Sequence, residues 1–292
     1  MKQVIKNAGL RSSPVAPGSV RKAHQGAKVI GTYANLWQRL ELIRFLVSAK
    51  RRGSTFKMVL GQLWFVLNPL AQMFVYYFLV VVLFGRAGMA GIHPLIMILT
   101  GIIHYHLFQH AVMSSAHAIL GNQKLCLQVS TEPLVFTAVS FVDTAWKFLI
   151  SLGVYFIFYL VLGPDFSLRL LAYPLILALL VVLAWSGSVL MSVLTVFSRD
   201  LRNAVAIALR ILMYLSPVIY PASFVAEKLG DAYSLYLLSP IGCLFTLLQW
   251  CFIQGQFPPL WTVALLIVST ILVFVMAHVV YGQLRPKITK AF

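Results

Sequence analysis

The sequence predicts an all-α integral membrane protein: six transmembrane helices, an N-terminal amphipathic interfacial helix, and a re-entrant or interfacial hairpin between spans five and six. Three observations carry this. Hydrophobic residues make up 60% of the 292 residues and charged residues only 10%, where a soluble domain carries about 25% charged. Six apolar runs approach the ~20 residues needed to cross hydrocarbon. Finally, Ser216-Pro217-Val218-Ile219-Tyr220-Pro221 ends the fifth run with two prolines, and an apolar stretch too short to cross comfortably, Leu237 to Ile253, follows it. Proline removes a backbone donor and breaks a helix. Within a bilayer, the freed backbone groups must be satisfied by protein or by a water-filled cavity.

Residues 1–32 are polar and basic, rich in Ser, Pro, Gly and Lys/Arg from Arg11 to Lys28, and read as a disordered cytoplasmic tail rather than a cleaved signal. Residues 33–57 read as an interfacial helix and turn. Leu36, Leu40, Ile43 and Val47 recur at helical spacing, Trp37 sits at headgroup level, and Arg39 and Arg44 lie off the stripe. Such a helix serves as an anchor or as a docking edge for a partner or lipid headgroup. Residues 58–292 form the six-span domain. Its spans are expected at Gln62–Phe84, Leu95–Leu120, Thr144–Leu162, Leu170–Phe197, Asn203–Tyr220 and Leu260–Tyr281, with the outer hairpin at about 221–256.

Charge orients these spans. Twelve of the 23 Lys and Arg residues precede the first span, which places the N-terminus in the cytoplasm by the positive-inside rule. Lys124, Arg199, Arg202, Arg285, Lys287 and Lys290 then fall on the same side. A seventh full crossing at Leu237–Ile253 would put the basic C-terminus outside, so a hairpin fits better. The formal net charge of +16 reflects this bias and attraction to anionic lipid, not nucleic-acid binding.

Other classes find little support. Cys126, Cys243 and Cys251 have no disulfide or metal spacing. The seven acids are scattered, whereas a membrane-embedded enzyme needs clustered carboxylates or a metal site. A secondary transporter often shows internal repeats and intramembrane acids; neither is evident. No Gly-x-x-x-x-Gly-Lys-Ser/Thr phosphate loop is present, so energy must come from elsewhere. His106, His110 and His117 share one face of the second span by their spacing, which reads as a polar bundle or pathway face. Ser186, Gly187, Ser188 and Ser192 suit close helix packing in the fourth span.

Several motifs line up in order: the basic interfacial helix, Leu60-Gly61-Gln62-Leu63-Trp64 with Asn68-Pro69, Ser198-Arg199-Asp200-Leu201-Arg202-Asn203, and Ser216 to Pro221. From about Tyr33 to the C-terminus the chain resembles the membrane subunit of type-2 ABC exporters. The branch is the one exporting cell-surface polysaccharides, that is, O-antigen, teichoic acid and capsule permeases. The sequence departs from the pattern at Ser54-Thr55-Phe56-Lys57, where an Arg-Tyr pair is usual, and at Ser239-Pro240, where Asn-Pro is usual.

The resemblance implies a homodimer in the bacterial plasma (inner) membrane with both termini cytoplasmic. It also implies two copies of a separate ABC ATPase, which would bind ATP and Mg; this chain would hold no cofactor, metal or catalytic residue. ATPase docking would involve Asn122, Gln123, Lys124, Glu132, Arg199, Asp200 and Arg202. A lipid-linked glycan would pass along spans one and five. Phe74, Tyr76, Tyr77, Tyr105, Phe108, Tyr214 and Tyr220 offer rings on which sugars stack, and Arg210 offers a guanidinium for phosphate. Ser216, Pro217 and Pro221 would gate the outer side. A type-2 ABC permease for a drug or another lipid would present similar spans.

Overall fold

The computed structural model describes residues 40–51, 63–83, 85, 93–129, 132–164, 168–254 and 259–288. The tail at 1–32, Trp37, Arg39 and the end of the hairpin at 255–256 lie outside them. Every regular element among the described residues is helical. Residues 46–292 form one compact unit.

Helix α1 is described from residue 40 to residue 51. Val47 is buried, whereas Leu40, Arg44 and Phe45 are exposed. Helix α2 (Trp64–Tyr77) carries Pro69 within its first turns and continues as a π-helical stretch, Phe78–Leu83. Helix α3 (Pro94–Ser115) opens on proline at N1, a position that has no use for its N–H. The side chain of His93 accepts from Leu95 N there. A short helix, α4 (Gln123–Val129), lies in the following connection. Helices α5 (Leu134–Leu162), α6 (Tyr173–Phe197) and α11 (Leu260–Ile288) are long enough to span. Including α2 with its extension and α3, five helices among the described residues meet the length and apolarity needed to cross a membrane, or six if the bent pair Ala222–Leu237 and Pro240–Ile253 counts as one span.

Helix α3 is the hub. Its first turns meet the end of α5 and the start of α6, through Thr100 with Tyr155 and His104 with Tyr173. Its last turns meet the start of α5 and the end of α6, through Ser114 with Thr144 and the Ala116 carbonyl with Thr195. These pairings make the neighbours antiparallel to α3 and define two ends. The hairpin end holds residues 216–239, and the basic end holds Lys124, Arg199 and Arg202. Gly187 lets α6 approach α3 closely, since a Cβ there would lie 2.8 Å from Val112 Cγ2. The hydroxyls of Ser186, Ser188 and Ser192 donate to carbonyls of their own helix, which satisfies these three polar groups without a partner helix.

The core near the hairpin end is aromatic. His104 is fully buried, with Tyr155, Tyr173 and Phe148 edge-on to its ring. Its Nδ1 donates to Thr100 O at 2.7 Å, which leaves Nε2 to accept from the Tyr173 hydroxyl at 2.9 Å. Both ring nitrogens are thus satisfied in one tautomer.

Several boundaries differ from the sequence reading; the last helix, for one, runs to Ile288 rather than Tyr281. The third span begins at Leu134, not Thr144, so Asp143 lies inside a helix rather than before one. The second helix ends at Ser115, so His117 is off the face shared by His106 and His110. The fifth span is shorter than expected: α7 (Leu201–Leu215) has 15 residues, a rise of about 22 Å against a hydrocarbon core of about 30 Å. It stops at Ser216 (φ −91°, ψ 152°), because the residue before a proline is pushed out of the α region.

After the break come α8 (Ala222–Leu229), α9 (Tyr233–Leu237) and α10 (Pro240–Gln249), the last extended by a π-helical turn, Trp250–Gln254. The α8–α9 arm and the α10 arm meet at a bend of 120°. Helix α10 is buried from Ile241 through Gln249. Such a bend suits a chain that dips into the bundle and returns.

Candidate functional site

Two groups of residues stand out, one at each end. At the hairpin end the broken backbone is satisfied by a few side chains. Gln249 Nε2 donates to Pro217 O at 2.7 Å and to Tyr220 O at 2.8 Å. Its Oε1 accepts from Ala222 N at 2.7 Å. One buried amide therefore serves three of the backbone groups around the two prolines. The Tyr220 hydroxyl lies 2.9 Å from Tyr214 O and 3.0 Å from Leu215 O, and the Tyr236 hydroxyl donates to Leu215 O at 3.1 Å. These hydroxyls take the place of the next helical turn at the end of α7. Gly101 makes the close approach possible: a Cβ there would sit 1.7 Å from Val218 O. Ser216 and Pro217 are buried and Pro221 half-buried. Of these side chains only Tyr220 is readable as special from sequence; Gln249 and Gly101 act across the fold.

The aromatic residues divide. Tyr105 is fully buried and its hydroxyl donates to Leu209 O, so the structure places it in the core rather than on an open face. Phe108 is partly buried beside it. Tyr76 and Tyr214 do come together, with hydroxyls 3.0 Å apart, and join α2 to α7. Phe74 is 66% exposed and Tyr214 50% exposed. Tyr77 stacks on His93 with ring centroids 6.3 Å apart. Arg210 is exposed on α7.

Toward the basic end, a cavity of about 370 Å³ opens between α2, α3, α5 and the start of α7. Its lining mixes polar Asn68, His106, His110, Thr144, Lys147 and Arg202 with apolar Ile103, Leu107 and Phe148, the two kinds interleaved along α3 and α5. His106 Nε2 donates to Gln72 Oε1 at 2.6 Å, and its ring lies 5.1 Å from that of His110. A second space of about 350 Å³ contains His117, Gln123, Arg199 and again Arg202. The structure thus gathers three of the expected docking residues, Gln123, Arg199 and Arg202, around one space. Lys124 and Asp200 are exposed. Two others face inward. Asn122 Nδ2 donates to Ala118 O at 2.7 Å, and Glu132 lies 3.7 Å from Arg285 Nη1 and accepts from the Tyr281 hydroxyl at 3.4 Å. Glu132 therefore ties the third span to the last turns of α11.

Asp143 is the residue that sequence reasoning passed over. Its side chain is 4% exposed, yet three cations surround it. Lys147 Nζ lies 2.8 Å from Oδ2, Lys50 Nζ 3.9 Å from Oδ2 and Arg51 Nε 3.9 Å from Oδ1. Lys50 also donates to Ser140 Oγ at 3.1 Å, and the Arg51 guanidinium lies 4.7 Å from the centre of a Trp146 ring. Burial lowers the Lys50 pKa; Asp143 opposes that shift and Lys147 adds to it. The end of α1 is thereby fastened to α5 by a carboxylate that a membrane-embedded helix would otherwise carry at a cost.

No protein-family model matches the chain. The O-antigen export system permease protein RfbA of Myxococcus xanthus is 26% identical over 244 residues, which is 82% of this chain and 90% of that protein. Two proteins of the same name from Klebsiella pneumoniae are 26% and 25% identical over 171 residues. Those matches cover 58% of this chain and 65% of each relative, a little under two thirds of their length. The resemblance read from the motifs is thereby borne out: over most of its length the chain is similar to an O-antigen export system permease.

Proposed function

We propose that the chain is the membrane-spanning subunit of an ATP-driven exporter that moves a lipid-linked cell-surface polysaccharide from the cytoplasm to the outer face of the membrane. The observation that carries the reading is the near full-length match to the Myxococcus xanthus permease. The aromatic contact between α2 and α7 and the cationic residues gathered at the basic end are consistent with it. Two copies of the chain would pair with two copies of an ABC ATPase, the partner that binds ATP and Mg. Gln123, Lys124, Arg199, Asp200 and Arg202 would form the docking surface, and the basic end would face the cytoplasm of a bacterial inner membrane. ATP-driven closure of the partner would move α4 and open the interface between copies. The glycan would advance past Phe74, Tyr76, Tyr77 and Tyr214, and the Ser216–Pro221 break would gate the opposite side.

The test is to purify the chain with and without a candidate ABC ATPase from the same organism. ATP hydrolysis that rises with lipid-linked glycan, and only in the complex, is the expected result. Transport by this chain alone, driven by a proton gradient, would overturn the reading.

A further inference from the structure

Helix α11 is longer than a crossing needs, and its surplus is seated in the bundle. Its 29 residues rise about 43 Å, against about 30 Å of hydrocarbon. Pro286 lies in its last turn, where the missing N–H and the ring favour a stop, yet the helix runs on to Ile288. Ile288 is fully buried, whereas Arg285, Pro286 and Lys287 are exposed. Ala277, Tyr281, Leu284 and Ile288 recur at helical spacing and so share one face. That face enters a buried cluster with Ile119, Val189, Val193 and Val196, against which Leu120 and Leu134 pack.

These contacts bracket α4. Ile119 and Leu120 stand just before it in the chain, and Glu132 and Leu134 just after it. Glu132 accepts from the Tyr281 hydroxyl at 3.4 Å and lies 3.7 Å from Arg285 Nη1. The last turns of α11 therefore meet the connection on both flanks, by apolar packing before α4 and by a hydrogen bond and an ion pair after it. Within α4, Lys124 and Leu125 are exposed, and Cys126 is buried against Ala118 and Phe136, which belong to the same two flanks.

We propose that Tyr281, Arg285 and Ile288 are positioning residues for α4: the last two turns of α11 fix both flanks of the connection that carries it, so a displacement of α4 is passed to the last span as well as to α3 and α5. A short helix held only by its own loop moves without its neighbours. One whose flanks share a packed cluster with another helix carries that helix along, because side chains at native density transmit strain. Ile288 is the anchor and Arg285 the reinforcement, since the Arg285 side chain is 55% exposed and its ion pair is screened by solvent. The hold itself needs no assumption about what docks on α4. That it carries the stroke of an ATPase to α11 rests on the proposed export function.

Hydrogen–deuterium exchange of the full chain in lipid nanodiscs tests the proposal, read on peptides covering 120–129 and, for comparison, the buried residues 241–249 of α10. Ile288→Ala should speed exchange in 120–129 about tenfold and leave 241–249 unchanged. Arg285→Glu, which sets a second carboxylate beside Glu132, should speed it about threefold. Combining Arg285→Glu with Glu132→Arg should restore protection, a rescue that a general loss of stability does not allow. Lys287→Ala, at an exposed position of the same turn, should change nothing. If Ile288→Ala fails to fold, Arg285→Glu and its rescue carry the test. Unchanged exchange in 120–129, or exchange raised equally in 241–249, overturns the proposal. A second arm adds the candidate ABC ATPase. Protection of 120–129 that extends to 277–288 in the native chain, and stops at 120–129 in Ile288→Ala, supports transmission to α11; protection of 120–129 alone in the native chain overturns it. An ATPase that protects no part of the chain counts against the export function, and the first arm then decides the hold by itself.

Discussion

The two ends of this bundle handle buried polarity in opposite ways. At the hairpin end the chain breaks at Pro217 and Pro221, yet the break is closed: Gln249, Tyr220 and Tyr236 answer the freed backbone groups, and Gly101 lets the broken segment press against α3. At the basic end Lys147, Arg202 and two histidines border open space instead. A backbone break in a membrane protein therefore need not mark the wet part of a pathway. Polar groups that saturate one another make a lock, whereas polar groups that face a cavity make a site.

The lock breaks most severely at Gly101. Gly101→Leu would drive a side chain into the Val218 backbone, with the Cβ alone 1.7 Å from its carbonyl oxygen. Overpacking against backbone should cost about 3 kcal/mol or more, read as loss of a monodisperse peak and a lower Tm in detergent. Gln249→Leu comes next. It strands Pro217 O, Tyr220 O and Ala222 N, and at about 1–3 kcal/mol per unsatisfied buried group should lose roughly 2–4 kcal/mol in the same assay. Gln249→Glu sharpens the point, because a carboxylate cannot donate to two carbonyls. It should be as damaging at neutral pH and partly relieved at acidic pH, where the protonated acid donates once.

Asp143→Ala tests the other end. Removing one partner of a buried ion pair typically costs 3–5 kcal/mol. Here the cations keep some contact with solvent, with side-chain exposures of 40%, 30% and 28%, so about 2 kcal/mol is expected. The loss should appear as faster proteolysis near α1, because Lys50 and Arg51 lose the carboxylate they share and keep only Ser140 and Trp146 among the contacts described above. The smallest effect belongs to Tyr236→Phe, which removes one of two hydroxyls from Leu215 O. About 0.5–1.5 kcal/mol, with the fold intact, is the expected cost.

What the sequence reveals follows how local the physics is. The end of α7 at Leu215 is written in Ser216-Pro217, because proline constrains its own neighbour. The apolar runs and the hairpin are legible for the same reason. Asp143 is not. Charge bookkeeping treats an acid as a boundary marker, and the partners that let it enter the helix, Lys50 and Arg51, come from about ninety residues earlier in the chain. Lys147 went unused for the same reason. Gln249 looks like any polar residue in an apolar run until the fold brings Pro217 and Tyr220 to it. The histidines show the reverse error: spacing groups His117 with His106 and His110 only if the helix continues, and it ends at Ser115. Tyr105 and Tyr214 are the same residue type on neighbouring helices, yet one is core and the other half exposed. Only packing tells them apart.

Aqueous access to single cysteines in the full chain, reconstituted in lipid vesicles, tests the contrast between the ends most directly. The native Cys126, Cys243 and Cys251 are all buried and can be replaced by Ala or Ser to remove background. Ser114→Cys lies at the cavity, and Ser216→Cys lies in the closed break, where the serine is 2% exposed. A small hydrophilic maleimide should modify Ser114→Cys readily and leave Ser216→Cys unmodified until the protein is denatured. Rapid labelling of Ser216→Cys with a silent Ser114→Cys would contradict the account, because the break would then be the wet region and the cavity a dry one.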